Sequence, residues 1–172
     1  MRPKVVLRAF RPDELELVRA ARRRQDGAIN LGRSTRERLR RELARSGSFD
    51  RGFLRLAIEA GGRLVGEVDA RCPPAAMPPG VYELGILLYE DADRGRGYGT
   101  AAVAGIVERL FAEEGASRVQ ASTALDNVGM RRVLERVGFA LEGTLRAFMP
   151  AREGREDYAL YALTRDDWER RS

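Results

Sequence analysis

Arg94-Gly95-Arg96-Gly97-Tyr98-Gly99 connects an apolar run, Val81 to Tyr89, to an Ala-rich run that begins near Thr100. The first run has the length and composition of a buried strand, and the second has the apolar spacing of a helix. A glycine-rich turn before a helix lets backbone N–H groups surround a phosphate, and the helix terminus adds partial positive charge. The stretch therefore predicts a diphosphate site between a strand and a helix.

Two common glycine loops do not fit this spacing. The dinucleotide pattern Gly-x-Gly-x-x-Gly needs a third glycine, but Thr100 or Ala102 occupies that position, depending on whether Gly95 or Gly97 comes first. The phosphate-binding loop of nucleoside triphosphatases ends in Gly-Lys-Ser/Thr, and the only lysine of this chain is Lys4. Spacing therefore excludes both of these ligand classes.

The remaining pattern, Arg94-x-x-Gly97-x-Gly99, resembles the coenzyme A loop Gln/Arg-x-x-Gly-x-Gly/Ala of the GNAT superfamily of N-acetyltransferases. The preceding Tyr82-Glu83-Leu84-Gly85-Ile86 resembles the fourth strand of that family. The resemblance implies that acetyl-CoA places its pyrophosphate on the amides of Arg94 to Thr100 and its pantetheine arm beside Ile86 to Leu88.

Later segments extend the resemblance over most of residues 5 to 168. Asp126-Asn127 and Leu134 to Phe139 resemble the family's Asn-containing helix, and two C-terminal segments, 142–146 and 154–160, resemble the end of its RimJ/RimL-like branch. The resemblance implies that Asn127 binds the coenzyme arm, although Asn also favours a helix N-cap. The residues expected to bind acetyl-CoA are Ile86, Leu87, Leu88, Arg94, Gly95, Arg96, Gly97, Tyr98, Gly99, Thr100 and Asn127.

The resemblance also implies the reaction, which is transfer of an acetyl group to a primary amine by direct attack in a ternary complex. The acceptor would be a protein N-terminus or a small-molecule amine. Glu83 occupies the family position for the general base, although a solvent-facing charge would give the same pattern. Glu67, on the neighbouring predicted strand, is the second candidate, as a base or as a group that binds the amine. A backbone N–H near Leu87 or Leu88 would stabilise the oxyanion.

Two residues depart from the family pattern. Leu134 stands where many relatives carry a tyrosine that protonates the departing thiolate, and Met130 replaces a small or hydroxyl residue. Water or another tyrosine such as Tyr98 would then donate the proton, or the thiolate would leave unprotonated. The departure keeps a second function open, that of a non-catalytic acyl-CoA-binding or regulatory module.

Composition excludes several other functions. The chain has no histidine and one cysteine, Cys72, so an internal disulfide, a Cys/His metal cluster and a Ser–His hydrolase site are not expected, and we predict no metal. Residues 1 to 11 contain no apolar segment followed by a small-residue cleavage site, and nowhere do 18 apolar residues run together, so we expect a cytoplasmic protein without a membrane segment. The size fits one domain, residues 1 to 172.

The chain is basic, with a formal charge of +5 and a pI of about 10.0. Such a surface could attract coenzyme phosphates, acidic peptides or nucleic acid. No nucleic-acid-binding signature accompanies the charge, so we do not expect RNA or the ribosome to be the main partner. The expected partners are acetyl-CoA and an amine acceptor, and a homodimer is left open.

The hydrophobic patterns predict an α/β fold with a mixed, mostly antiparallel sheet. The resemblance implies the GNAT fold, in which about four helices flank such a sheet. A capping box, Ser34-Thr35-Arg36-Glu37, predicts that the second helix starts at Ser34. The predicted elements are a strand over 5–10, a helix from Pro12, a helix from Ser34, a hairpin over 53–70, a strand over 81–89, a helix over 100–114, a strand over 117–123, a helix over 127–137 and an antiparallel pair over 139–148 and 157–164.

Overall fold

The computed structural model describes residues 3–24, 35–151 and 153–171. The strands are β1 (Val5–Arg8), β2 (Phe53–Ala60), β3 (Arg63–Arg71), β4 (Val81–Leu88), β5 (Arg118–Ala124), β6 (Ala140–Pro150) and β7 (Arg155–Thr164). The α-helices are α1 (Leu15–Arg24), α2 (Arg36–Ala44), α3 (Tyr98–Ala112), α4 (Val128–Val137) and α5 (Arg165–Glu169).

The described strands form one sheet of seven in the order β1-β2-β3-β4-β5-β7-β6. Only the β4–β5 pair is parallel, and every other neighbouring pair is antiparallel. The β2–β3 hairpin closes through Gly61 and Gly62, whose φ angles of 59° and 75° suit the tight turn that glycine favours. The predicted α/β class with a mixed, mostly antiparallel sheet is confirmed.

Helices cover both faces of the sheet. α3 and α4 pack on one face around a core that includes Leu84, Ile106 and Leu134. α1 and α2 pack on the other face around a smaller core that includes Val18 and Leu39. Because successive side chains of a strand point to opposite faces, the odd-numbered residues of β4, among them Glu83, point toward α1 and α2.

The element boundaries differ slightly from the predicted ones. Thr35 is the N-cap of α2 and accepts a hydrogen bond from the Arg38 amide, so the first residue of the helix is Arg36, two residues after the predicted start. Ser34 lies outside the described residues. Pro12 begins a 3-10 turn that leads into α1. The structure also contains the short helix α5, which was not predicted; its Trp168 stacks on Phe111 at a centroid distance of 5.2 Å. Five α-helices therefore flank the described sheet, where about four were expected.

None of the helices in the described part of the chain combines the length and the apolar character needed to cross a membrane.

Candidate active site

A cleft opens where the two parallel strands separate. β4 and β5 pair only from Val81 opposite Arg118 to Glu83 opposite Gln120, although the strands continue to Leu88 and Ala124. Beyond this point β4 has no strand partner on its β5 side among the described residues, and a cavity of about 1020 Å³ lies there. Backbone amides and carbonyls on this side of β4 are therefore free to bind a ligand.

The direction of the β4 amides follows from the pairing with β3. The Tyr89 amide donates to the Val65 carbonyl of β3 at 3.0 Å, and Gly66 lies opposite Leu88. In an antiparallel pair, alternate residues direct their amides to opposite edges. The Leu87 amide is then directed to β3, whereas the amides of Ile86 and Leu88 are directed to the cleft edge.

The glycine loop leads into an α3 N-terminus that no side chain caps. Gly95 and Gly97 have φ angles of 73° and 83°, the left-handed region that glycine adopts without strain. Gly97 is the N-cap of α3 and has no side chain to satisfy the first amides of the helix, which lack intrahelical acceptors. A Cβ on Gly99 would lie 3.9 Å from the Ile86 side chain, so the first turn of α3 packs beside the cleft.

Ion pairs fix the segment that precedes the loop. Arg63 of β3 donates to both oxygens of Asp93, at 3.0 and 2.6 Å, and these hydrogen bonds hold the pKa of the buried Asp93 below its usual value. Arg94 pairs with Asp91 at 3.1 Å, and the Arg96 Nε donates to the Ala92 carbonyl at 2.8 Å. The two arginines predicted to bind the coenzyme thus lie at the surface on an anchored turn.

Asn127 and Leu134 occupy different environments on α4. The Asn127 Oδ1 accepts a hydrogen bond from the Met130 amide at 3.1 Å, so Asn127 caps α4, and the residue also lines the cleft. Its Nδ2 makes no hydrogen bond to any described residue. Leu134 is fully buried in the main core. Tyr98 begins α3, packs against that core and does not line the cleft.

Glu67 lies on the α1–α2 side of the cleft and is fully engaged in a buried ion pair. Both of its oxygens accept from Arg22, at 2.9 and 2.6 Å, and the side chains are 11% and 7% exposed. Arg22 also donates to Glu42 at 2.8 Å. Burial opposes the charge of Arg22, but the two carboxylates outweigh it and raise the pKa of Arg22. Both oxygens of Glu67 are therefore already bound by the Arg22 guanidinium.

Asp69 and Glu83 lie beside each other on the same wall. Asp69 is opposite Gly85 in the β3–β4 pair, and its Oδ1 would lie 2.6 Å from a Cβ on Gly85, so only glycine leaves room for this carboxylate. Burial raises the pKa of Asp69, although Arg71 partly opposes the rise. The Arg71 Nε lies 3.3 Å from the Asp69 Oδ2, and the Arg71 Nη2 lies 3.8 Å from the Glu83 Oε1. Both carboxylates line the cleft.

Asp69 and Tyr158 are cleft residues that the sequence reasoning did not select. Asp69 follows Glu67 by two residues on β3, so strand alternation alone would have placed both on one face. Tyr158 lies on β7 opposite Ala124, and burial raises the pKa of its phenol, with smaller contributions from Glu156 and Asp126. The phenol is therefore protonated at neutral pH. No local sequence signal distinguishes Tyr158 from other strand tyrosines.

Most of the chain matches a family model described as an acetyltransferase (GNAT) domain, over residues 4–140. The chain belongs to the GNAT acetyltransferase family. It is accordingly an acetyl-CoA-dependent N-acetyltransferase, in agreement with the resemblance of its glycine loop. A search of curated protein sequences gave no match.

Solved GNAT structures share this fold at low sequence identity. Spermidine N-acetyltransferase from Vibrio cholerae, solved as a dodecamer, is 16% identical, with a TM-score of 0.78 over 98% of both chains. The ribosomal-protein alpha-N-acetyltransferase RimL, solved with coenzyme A, is 14% identical, with a TM-score of 0.77 over 93% of both chains. Aminoglycoside acetyltransferase AAC(6')-Ib, also solved with coenzyme A, is 21% identical, with a TM-score of 0.72 over 98% of this chain and 100% of the other.

Proposed function

We propose that this GNAT protein transfers the acetyl group of acetyl-CoA to a primary amine by direct attack in a ternary complex. The observation that carries the proposal is the cleft between β4 and β5, which has an uncapped helix terminus beside it and two adjacent carboxylates on one wall. The acceptor is a protein N-terminus or a small-molecule amine. The solved relatives act on a polyamine, a ribosomal protein and an aminoglycoside, so the fold alone does not choose between them.

The free amides and the glycine loop support the coenzyme site. The pyrophosphate would bind the amides from Arg94 to Thr100 at the start of α3, where the helix dipole favours negative charge. The amide-rich pantetheine would pair with the cleft edge of β4 near Ile86 to Leu88. Asn127 keeps its Nδ2 available for the coenzyme while its Oδ1 caps α4. Acetyl-CoA, when bound, supplies an acetyl group activated as a thioester.

We propose that Asp69 is the general base. The sequence had predicted this role for Glu83, which lies next to Asp69 on the same wall. A base must take the proton of the acceptor ammonium, directly or through water, and it works best when its pKa is near the working pH. Burial moves the pKa of Asp69 in that direction. Glu67 holds Arg22 in place and so shapes the wall without taking the proton.

Two other groups complete the proton and charge transfers. The Leu88 amide, directed to the cleft edge, is suited to stabilise the negative charge that develops on the carbonyl oxygen. The Tyr158 phenol, protonated and in the cleft, is suited to give the departing thiolate its proton in place of the missing tyrosine at Leu134. The sequence had suggested Tyr98 for that step, but Tyr158 is the tyrosine that lines the cleft.

The alternative of a non-catalytic acyl-CoA-binding module was motivated by Leu134. The cleft contains both the Asp69 carboxylate and the Tyr158 phenol. Their presence favours an enzyme, because a module that only binds the coenzyme needs neither group. Both readings share the glycine loop. They differ in whether thiol is released when an amine is present.

Two measurements test the proposed function together. Calorimetry with acetyl-CoA should show binding of a 1:1 complex, and free-thiol release should rise above the acetyl-CoA hydrolysis background when primary amines are added. N-acetylated forms of the same amines are the matched controls, because they lack the nucleophile. Binding without amine-dependent thiol release across peptides, polyamines and aminoglycosides would favour the module, and absence of binding at millimolar acetyl-CoA would contradict both readings.

A further inference from the structure

A second cavity, of about 730 Å³, opens between α2 and the start of β2. Residues 38, 41 and 42 of α2 and the C-cap residue 45 line it, with the spacing that places side chains on one face of a helix. We call this cavity the arginine pocket. Its lining residues are Thr35, Arg38, Arg41, Glu42, Arg45, Asp50, Arg51, Phe53 and Arg55.

The arginine pocket carries positive charge that the described residues do not neutralise. Five arginines line it, against two carboxylates, and both carboxylates are already engaged. Glu42 pairs with Arg55 at 3.0 Å, and Asp50 pairs at 3.2 Å with another arginine of the pocket. Arg38 and Arg51 make no ion pair with any described residue. Two guanidinium groups therefore have donors available to bind an anion. A carboxylate is a suitable anion, because arginine binds it through two parallel hydrogen bonds.

The arginine pocket continues directly into the acceptor side of the cleft. Several residues line both cavities. Beyond them the cleft wall carries the carboxylates Asp69 and Glu83, so the charge of the lining changes from positive in the arginine pocket to negative near the proposed reaction centre. An acceptor that fits this arrangement has a cationic amine at one end and an anionic group further along. The residues that line both cavities are Arg38, Glu42, Phe53 and Arg55.

We propose that the acceptor is an acidic peptide, whose free α-amino group enters the cleft and whose acidic side chain binds the arginine pocket. The proposal rests on the proposed function for the location of the amine. An extended peptide advances ~3.4 Å per residue, so its third to fifth residues lie roughly 7–14 Å from the amine. A polyamine would instead bring positive charge against the arginines, which costs affinity.

A peptide series tests the charge and its position. The parent peptide Ser-Ala-Glu-Glu-Ala is compared with the same peptide carrying Gln or Lys in place of both Glu, and with peptides in which a single Glu is moved through positions 3 to 5. Two readouts are recorded: thiol release with acetyl-CoA, and equilibrium binding of each peptide, labelled at its C-terminus, in the presence of coenzyme A. The Glu peptide should have a kcat/KM about tenfold above the Gln peptide, with the Lys peptide lowest, and the preference should shrink as salt screens the charges.

Two neighbouring arginines provide a matched pair of variants. Arg41 and Arg40 are similarly exposed, at 66% and 62%, and both contact Glu37, but only Arg41 lines the arginine pocket. Arg41→Gln and Arg38→Gln should each weaken binding of the Glu peptide by roughly threefold, the scale of one partly exposed charge pair. Arg40→Gln should leave it unchanged. The Arg41→Gln and Arg38→Gln variants should weaken binding of the Gln peptide less than binding of the Glu peptide, because the Gln peptide has no carboxylate side chain to lose a partner.

The outcomes separate this proposal from the proposed function. Arginine-dependent binding of the Glu peptide supports the arginine pocket even if no thiol is released, in which case the proposed function fails alone. Equal turnover of all three peptides, or higher turnover of the Lys peptide or of spermidine, overturns the acidic-peptide acceptor while leaving the acetyltransferase in place. An equal effect of Arg40→Gln and Arg41→Gln would also overturn it, because net charge rather than the pocket would then explain the preference.

Discussion

The coenzyme side and the acceptor side of the cleft are built in different ways. The proposed coenzyme side consists mainly of backbone: two glycines in the left-handed region, an uncapped helix terminus and a strand edge left open by the separation of β4 and β5. On the acceptor side, side chains from separate elements meet, among them Arg22 of α1, Asp69 of β3 and Glu83 of β4.

This difference explains what substitutions should do on each side. A backbone site fails when a side chain is added where none fits, because the shape of the loop is lost. A site made of paired charges fails when one partner is removed, because the other charge is left without compensation. The three predictions that follow test this contrast, from the largest expected effect to the smallest.

Gly97→Glu should have the largest effect, on the coenzyme side. The added Cβ would meet Pro3 at 3.1 Å in a backbone conformation that L residues rarely adopt, and the carboxylate would face the pyrophosphate. Like charges at such a contact cost several kcal/mol, so acetyl-CoA affinity measured by calorimetry should fall by about two orders of magnitude or more.

Two variants separate the causes of that loss. Gly97→Ala has the backbone strain without the charge and should lose much less affinity than Gly97→Glu. Gly143→Glu adds the same charge to an exposed strand position where a Cβ meets nothing within 4 Å, and should bind acetyl-CoA normally. Normal affinity in Gly97→Glu itself would mean that the coenzyme pyrophosphate does not bind at this loop.

The same contrast decides what could be read from the sequence. The turn before α3 could be predicted because it lies in consecutive residues, and Gly95 and Gly97 do adopt the left-handed φ that glycine favours. The hairpin over 53–70 was predicted for the same reason, since its turn lies at the consecutive Gly61 and Gly62. Binding of the coenzyme at the turn before α3 stays a prediction. Asp69 was missed because its role depends on Gly85 across the sheet, and Tyr158 because it approaches the cleft from a strand late in the chain. Strand alternation places Asp69 on the same face as Glu67, but no local pattern shows which residues of other strands lie beside it.

Asp69→Asn should have the second-largest effect, on the acceptor side. Loss of a general base typically costs 10²–10⁴-fold, so kcat/KM should fall by roughly 100-fold and the acidic limb of the pH–rate profile should flatten. In the native enzyme, the pH midpoint of that limb should be higher than the usual aspartate pKa of 3.8, because burial raises the pKa of Asp69. Binding of acetyl-CoA should not change, since the carboxylate lies on the opposite wall.

Asp69→Asn should lower activity but raise stability at neutral pH. A carboxyl whose pKa is raised by folding holds its proton more tightly in the folded state, so its contribution to stability is lost as pH rises from the usual value through the raised one. Asp69→Asn should therefore raise the melting temperature at neutral pH while it lowers the rate. Glu83→Gln is the matched comparison and should reduce the rate less than tenfold. If Glu83→Gln removes the acidic limb and Asp69→Asn does not, Glu83 is the base, as the family position had indicated.

Asn127 should give the smallest effects, and it tests whether one side chain serves both the fold and the coenzyme. Asn127→Ser keeps an oxygen that can cap α4 but removes the amide donor, whereas Asn127→Ala removes both. The alanine variant should lower the free energy of unfolding by about 1 kcal/mol and the serine variant by only a few tenths. Acetyl-CoA affinity should fall in both by a similar factor of roughly three to ten, the value of one hydrogen bond. If affinity instead follows stability, with serine equal to the native residue, Asn127 acts on the coenzyme only by holding α4, and the coenzyme side depends on backbone alone.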